Sequence, residues 1–342
     1  PRRRDVLLLV QGTSSGKSHV MRVLGSVQRA IHLIFIPLLT LSADVLQKFT
    51  SDDGRFGTIE VQHLDELVDV LPANYREFLD RCVQLNTNTT SSIYVFLSPH
   101  FLVLHPEACA AFLQCVEKGT VRAVIFDEIH VHYQQGSSFR KECRDLWDDF
   151  LRKALARTGP RRPPRLLMTS ATVPDDYVAP IGDLLTVKIE DWNIMQGSAQ
   201  DFANRDITHR QTICNRGEFV KQGLAQVVDF LRRDEEGSAI VFCNSRAKVL
   251  HYSSTLENKL NLALVNADLI FIVGALMKVD KFERIQIFCQ GAEELSDINF
   301  RILMSTPAAN VGIDKERVRL VVRFEWPRDL CTYAQERGRG SR

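Results

Sequence analysis

Short apolar runs alternate along the chain with longer segments in which apolar residues recur at helical spacing. The short runs predict buried β-strands because they are apolar throughout and are bounded by polar or turn-forming residues. These predicted strands cover residues 6–10, 32–41, 93–97, 123–126, 166–168, 238–243, 268–273, 300–305 and 318–324.

The helical pattern follows most of these strands, which is typical of an α/β fold with mostly parallel sheets. One predicted helix ends at residue 27, and another begins at residue 244. The other predicted helices cover 42–49, 64–83, 107–118, 141–156, 218–232, 278–289 and 330–337. Residues 187–215 carry polar breaks and no clear long element. We therefore predict a first domain at 1–190, a linker at 191–215 and a second domain at 216–342.

A glycine-containing loop, QGTSSGKS, lies at 11–18 between the first strand and the first helix. This context predicts a phosphate-binding P-loop, because backbone N–H groups of such a loop and of the helix N-terminus surround phosphate. The first glycine of the usual pattern is replaced by Gln11. The alternative is a helix N-cap preceded by a glycine turn. The predicted phosphate-binding residues are Gly12, Thr13, Ser14, Ser15, Gly16, Lys17 and Ser18.

The apolar strand at 123–126 is followed directly by the sequence DEIH, so two adjacent carboxylates stand at a strand end. Their burial is costly unless a cation or a proton meets them. Mg²⁺ carrying a nucleotide fits, because Mg²⁺ binds few carboxylates and keeps phosphate oxygens as ligands. In this interpretation Asp127 and Ser18 hold Mg²⁺, Lys17 contacts phosphate, and Glu128 orients or activates the attacking water. The alternative is a solvated acidic turn.

Composition narrows the class of protein. The chain has 342 residues, 45% hydrophobic and 25% charged, which suffices for two domains. The net charge is +1, so any nucleic-acid surface must be local. Eight cysteines without zinc spacing predict reduced thiols in an intracellular compartment and no metal knuckle. Neither a membrane span nor a signal peptide is predicted, and the opening at Pro1 suggests a segment of a longer protein.

Seven segments, in this order, resemble the motifs of superfamily 2 helicases. They are GTSSGKS, PLLTL, DEIH, SAT at 170–172, FCNSRAK, STPAANVGID and QERGRGSR. The resemblance implies two tandem RecA-like domains, with the second domain cut at its last motif. The stretch 127–140 is further similar to the RecQ family, whose loop has the form DEAHCISQWGHDFR. Here Gln134, Gly136, Phe139 and Arg140 are kept, whereas the family's tryptophan is replaced by Gln135.

The resemblance implies roles for residues in both domains. Gln335 senses the γ-phosphate, and Arg339 and Arg342 occupy arginine-finger positions, where a permanently charged planar fork suits phosphate oxygens. Gly312 and Asp314 belong to the nucleotide set. Residues that contact nucleic acid or couple it to ATP are Ser98, His130, Tyr133, Phe139, Arg140, Ser170, Thr172, Asn244, Ser245 and Arg246. Alternatives from the residues alone are a packed core histidine for His130, a turn cap for Asp314 and a basic tail for Arg339 and Arg342.

The activity implied by the RecQ resemblance is an ATP- and Mg²⁺-dependent DNA helicase that moves 3′ to 5′ on single-stranded DNA and unwinds duplexes. Single-stranded and branched DNA are then the partners, in repair or recombination, and the location is nuclear in a eukaryote and cytoplasmic otherwise. Protein partners are not predicted. Two alternatives stay open: an RNA helicase of the same superfamily, and a degenerate helicase that binds nucleic acid without turnover.

Overall fold

A computed structural model of the protein describes most of the chain. The described residues are 6–11, 16–36, 49, 59–89, 91–132, 145–156, 163–171, 173–185, 188, 190, 192–197, 208, 210–211, 215, 218–234, 236–263, 265, 267–272, 278–290, 300–307, 313, 315, 317–327 and 329–340. The chain forms two compact units, Pro1–Phe202 and Ala203–Arg342. None of the helices described here has the length and apolar character needed to cross a membrane.

The first unit is built on a sheet of parallel strands. In chain order the described strands are β1 Val6–Val10, β2 Ile31–Phe35, β3 Ile59–His63, β4 Ser92–Leu97, β5 Val121–Phe126, β6 Arg165–Ser170 and β7 Trp192–Gln196. Their spatial order is β3-β4-β2-β5-β6-β1-β7. Every residue of β2 and β4 is buried. Both faces of these central strands are therefore covered, which explains why the sequence shows continuous apolar runs there.

Helices connect these strands. They are α1 Lys17–Val27, α2 Leu64–Val70, α3 Pro72–Gln84, α4 Phe101–Leu104, α5 Pro106–Lys118, α6 Arg152–Ala156 and α7 Asp175–Leu185, with a π-helical stretch, Trp147–Leu151, before α6. Proline opens α3 and α5, where its fixed φ suits the first turn. Gly119 ends α5 in the left-handed conformation, φ 72°.

The second unit has its own parallel sheet and its own core. Its described strands are β8 Ser238–Phe242, β9 Asp268–Ile272, β10 Phe300–Ser305 and β11 Val318–Arg323, in the order β11-β8-β10-β9. Its helices are α8 Phe219–Arg233, α9 Arg246–Ala263, α10 Lys278–Gln290 and α11 Leu330–Arg337. The predicted fold class, two α/β units with parallel sheets, is confirmed.

The structure differs from the local predictions in several places. The helix predicted at 64–83 is two helices, because Pro72 disfavours helical backbone at Leu71. A strand, β3, precedes these helices and was not predicted. Five residues of the predicted linker form β7, which pairs with β1. The predicted strand residues 37–41 and helix residues 42–48 lie outside the described residues.

Candidate active site

Three neighbouring strands of the first unit bring the candidate residues to one edge of the sheet. In the register of the sheet, Phe126 of β5 lies opposite Met168 of β6, and Val10 of β1 lies opposite Ser170 of β6. The backbone N–H of Gln11 continues this pairing by donating to the carbonyl of Ser170 at 3.0 Å. The DEIH segment, the SAT segment and the start of the P-loop therefore lie side by side.

Within the predicted P-loop, the residue before α1 has a left-handed backbone conformation, which glycine adopts more easily than other residues. Gly16 has φ 89° and caps α1. Lys17 begins the helix, and its Nζ donates to the carbonyl of Gln11 at 3.0 Å. Ser18 lies in the first helical turn. The ammonium group is thus held at the end of β1, beside a helix N-terminus that favours anions.

Asp127 is the carboxylate at the end of β5. Its Oδ1 accepts hydrogen bonds from Thr169 Oγ1 at 2.7 Å and from the backbone N–H of Glu128 at 3.1 Å. Desolvation and the neighbouring charge of Glu128 raise the pKa of Asp127 to about 6, against the lowering effects of Thr169 and Lys17. This carboxylate is therefore held in a place where a cation would stabilise its ionised form.

Glu128 adopts the left-handed backbone conformation, with φ 51°. Such a conformation costs a non-glycine residue about 1–3 kcal/mol, and it persists where surrounding contacts hold it. Here Oε2 of Glu128 accepts from Ser170 Oγ at 3.2 Å and from the backbone N–H of Ala171 at 3.4 Å. The contacts fix the direction of the second carboxylate relative to Asp127.

His130 and Ser170 meet inside the first unit. His130 is 1% exposed, and its Nδ1 lies 2.6 Å from Ser170 Oγ. Because the Ser170 hydroxyl donates to Glu128, the Nδ1–H of His130 is the donor to Ser170. The result is a continuous chain of hydrogen bonds from His130 through Ser170 to Glu128. His130 Nδ1 also lies 3.4 Å from Glu128 Oε2.

Sequence reasoning missed two residues of this site. Thr169 precedes the SAT segment, is fully buried and donates to Asp127. His132 Nε2 donates to the carbonyl of Asp127 at 2.9 Å, and burial lowers the pKa of His132 to about 3, so the ring is neutral. The register of β5 against β6 would have indicated Thr169, because Phe126 opposite Met168 places the next residues, Asp127 and Thr169, together.

Ser98 lies after β4 and is 1% exposed. Its backbone N–H and its hydroxyl both bind the carboxylate of Asp65, at 2.7 and 2.6 Å. His100 Nε2 lies 3.3 Å from the same hydroxyl. The proton of this hydroxyl is therefore committed to Asp65. Contact of Ser98 with nucleic acid remains a prediction. In this arrangement its hydroxyl does not donate a hydrogen bond to nucleic acid.

Three predicted contact residues of the second unit follow β8. Asn244 Nδ2 donates to the carbonyl of Trp326 at 3.0 Å, and Asn244 Oδ1 accepts from Arg323. Ser245 Oγ accepts from the backbone N–H of Lys248 at 3.4 Å, as an N-terminal cap of α9. Arg246, the first residue of α9, is exposed.

Residues 335–340 of the predicted motif at the end of the chain form the end of α11 and the turn after it. Gln335 and Arg339 are 7% and 8% exposed. Arg339 Nη1 donates to the carbonyl of Ile313 at 2.7 Å. Arg339 of this motif therefore packs within its own unit against Ile313 of the preceding motif. The roles of Gln335 and Arg339 toward ATP remain predictions.

The remaining candidates lie outside the described residues. They are Gly12, Thr13, Ser14, Ser15, Tyr133, Phe139, Arg140, Thr172, Gly312, Asp314 and Arg342.

The polar groups at this edge of the first sheet fit a nucleotide bound together with a divalent cation. The ammonium group of Lys17 and the N-terminus of α1 both favour the binding of phosphate. The raised pKa of Asp127 marks a carboxylate whose charge lacks full compensation. Carboxylate and hydroxyl oxygens, from Asp127 and Ser18, are the ligand types that Mg²⁺ prefers.

Comparisons with known proteins agree with this arrangement. Residues 2–179 match the DEAD/DEAH box helicase family, and residues 222–342 match the helicase conserved C-terminal domain. The chain is 25% identical to the ATP-dependent DNA helicase RecQ of Haemophilus influenzae over 98% of its length, and it spans 46% of that relative.

Two solved structures share the fold. Helicase Lhr of Mycobacterium smegmatis bound to ssDNA and AMP-PNP matches 98% of this chain and 42% of that chain, with a TM-score of 0.63 and 21% identity. Dbp5 of S. cerevisiae bound to RNA and ADP BeF3 matches 98% of this chain and 75% of that chain, with a TM-score of 0.64 and 14% identity. The family match covers more than half of the chain and agrees with the order of the motifs and with the two parallel sheets. The chain belongs to the DEAD/DEAH box helicase family and has a RecQ-like superfamily 2 helicase core.

Proposed function

We propose that this chain is the motor core of an ATP- and Mg²⁺-dependent DNA helicase of RecQ type. The observation that carries the proposal is the single edge of the first sheet, at which the charge of Lys17 acts on Asp127 and hydrogen bonds join Glu128 through Ser170 to His130. This edge combines a phosphate-binding cation, a metal-binding carboxylate and a second carboxylate of fixed direction.

Each residue has a role that follows from its contacts. Asp127 and Ser18 would hold Mg²⁺, and the ion would supply positive charge to stabilise the phosphates during transfer. Lys17 leaves the carbonyl of Gln11 and binds the phosphates as a point charge. Glu128 positions the attacking water and accepts its proton.

Coupling to nucleic acid runs through the hydrogen bonds of Glu128. Ser170 holds Oε2 of Glu128, and His130 holds Ser170. A shift of the segment after β6 therefore moves the carboxylate that orients the water. This connection makes hydrolysis sensitive to the position of residues outside the phosphate site, as a motor requires.

DNA is the proposed track, with 3′-to-5′ movement, because the sequence similarity to RecQ DNA helicases extends over almost the whole chain. RNA is the second candidate, supported by similarity to an RNA helicase, eIF4A, over 52% of the chain. A reducing compartment, nuclear in a eukaryote, and a role in repair or recombination follow the same resemblance. The chain spans about half the length of its RecQ relatives, so unwinding of duplex DNA is proposed for the whole protein.

The test is ATP hydrolysis by the purified protein, alone, with single-stranded DNA and with single-stranded RNA. We expect a strong increase with DNA and loss of hydrolysis in Lys17→Ala. The exposed Lys153→Ala, on α6, is the matched control for loss of a lysine and should hydrolyse ATP normally. Duplexes with a 3′ or a 5′ tail then report the polarity of unwinding.

Three results would contradict the proposal. Stimulation by RNA alone favours the RNA helicase. Nucleic-acid binding without hydrolysis, in the presence of Mg²⁺, favours a degenerate binding protein. Hydrolysis that persists unchanged in Lys17→Ala places the activity elsewhere.

A further inference from the structure

One tryptophan of the second unit is displayed to solvent. Trp326 is 80% exposed, whereas the other two tryptophans of the sequence, Trp147 and Trp192, are each 2% exposed. Tryptophan is strongly buried on average because its ring is the largest apolar side chain. An indole in solvent therefore calls for a physical explanation.

The backbone that carries Trp326 is held by polar contacts. Asn244 Nδ2 donates to the carbonyl of Trp326 at 3.0 Å, and Arg323 donates to Asn244 Oδ1. Arg323 is in turn paired with the buried carboxylate of Glu336 at 3.0 Å. The side chain is exposed although its main chain is anchored, so it is presented on a fixed support.

The residue before the tryptophan is strained. Glu325 has φ 70°, in the left-handed region, and its carboxylate forms an ion pair with Lys248. Backbone strain of this kind persists where surrounding contacts stabilise it, and it concentrates at functional sites. The ion pair ties the side chain of Glu325 to α9, the helix that carries Lys248.

The position of this turn matches the predicted nucleic-acid contacts of the unit. β11 pairs with β8, with Arg323 opposite Phe242, so both strands end at the same edge of the sheet. Asn244 follows β8 and Trp326 follows β11. Exposed Arg246 begins the 18-residue helix α9 at the same edge. Trp326, Asn244, Ser245 and Arg246 therefore lie at the same edge of this sheet.

We propose that Trp326 stacks on a base of the single-stranded DNA that the motor grips. Stacking on an aromatic ring is tolerant of sequence, because every base has a π-face, and it combines with cations that follow the phosphate backbone. This is the contact that a motor moving along DNA needs, since it must hold any base in turn. The inference rests on the proposed function and adds a residue that the motif resemblance does not include.

The test uses the fluorescence of the protein itself. Because Trp147 and Trp192 are buried, acrylamide should quench only Trp326 in the free protein, and Trp326→Phe should remove this accessible emission. A short single-stranded DNA oligonucleotide should quench Trp326 and protect it from acrylamide in the wild type. The emission of Trp326→Phe should not respond.

Affinity is measured in parallel by anisotropy of a labelled oligonucleotide. Trp326→Ala should weaken binding roughly 5- to 100-fold, because it removes one base-stacking contact. Trp326→Phe keeps an aromatic face and should lose far less, and it also serves if the alanine variant fails to fold. Leu262→Ala, at an 86% exposed position on α9, is the matched control and should bind as the wild type does.

The outcomes separate this inference from the proposed function. Equal affinity of Trp326→Ala and wild type, with emission unchanged by DNA, overturns the stacking contact and leaves the DNA motor intact. A Trp326 already shielded from acrylamide in the free protein means that another part of the protein covers it, which also overturns the inference. Quenching by RNA and not by DNA overturns the choice of track. A wild type that neither binds DNA nor responds to it in hydrolysis overturns both proposals.

Discussion

Thr169 offers a direct test of the chemistry at the sheet edge. Its hydroxyl donates to Asp127 Oδ1 at 2.7 Å and is fully buried. Thr169→Val keeps the shape of the side chain and removes the donor. The change raises the pKa of Asp127, because a hydrogen bond to the charged form stabilises that form.

The magnitude follows from the strength of such a bond. A hydrogen bond to a charged group contributes about 1.5–3 kcal/mol, which corresponds to roughly one to two pKa units at 1.36 kcal/mol each. Starting from a pKa of about 6, the variant is protonated on Asp127 to a large extent at neutral pH. A protonated carboxyl binds Mg²⁺ poorly, so kcat/KM for ATP at pH 7 should fall roughly 2- to 10-fold and recover above pH 8.

The assay is the pH dependence of kcat/KM at fixed Mg²⁺, since this ratio reports pKa values of the free enzyme. Thr169→Ser keeps the donor and should resemble the wild type. Thr120→Val removes another buried threonine donor of the same unit, one bonded to the carbonyl of Cys115 at 3.1 Å, and should change stability without moving the profile. If Thr169→Val has an acid limb identical to that of the wild type, the assignment of Asp127 as the titrating metal ligand is wrong.

Three further predictions concern stability. Burial lowers the pKa of His32 from 6.5 to about 4, so this group should lower the free energy of unfolding by up to about 3 kcal/mol as pH falls from 6.5 to 4. Urea titrations should show that His32→Leu loses this part of the pH dependence and keeps the part due to buried His132, whereas His251→Gln, at an exposed position, keeps both. Arg323→Ala removes the ion pair of the buried Glu336 carboxylate and should lower the free energy of unfolding by about 3–5 kcal/mol. A double variant with Glu336→Leu should recover most of this loss, whereas a melting temperature of Arg323→Ala equal to that of the wild type would argue against a stabilising pair. Arg301→Lys removes the guanidinium group that donates to two backbone carbonyls before β8, and it should lower the free energy of unfolding by about 1–3 kcal/mol. Denaturant unfolding measures this change, and an unchanged free energy would mean that water replaces the lost hydrogen bonds.

The sequence was sufficient to predict those parts of the fold that depend on short-range patterns of apolar and polar residues. The strand before Lys17 and the strand before Asp127 are continuous apolar runs because helices cover both faces of the sheet. The rule that ligands bind at the carboxyl ends of parallel strands then placed the two motifs at one edge.

Other features depend on pairing between distant segments. The bond from Thr169 to Asp127 requires the register of β5 against β6, which periodicity does not contain. β7 was missed because only Trp192 of its five residues is buried, so the strand has neither an apolar run nor alternation. The break at Leu71 was available from the sequence, since Pro72 restricts the residue before it.

The placement of β1 between β6 and β7 has a consequence for how the protein is made. β1 pairs with β6 and β7, so Val6 lies opposite Leu166 and Trp192. During synthesis this apolar strand leaves the ribosome long before either neighbour exists, and pairing over such a separation is slow. The strand that leads into the predicted phosphate-binding loop can therefore be paired only after β6 and β7 have been made. Until then β1 is an unpaired apolar strand, the kind of segment that makes folding intermediates prone to aggregation.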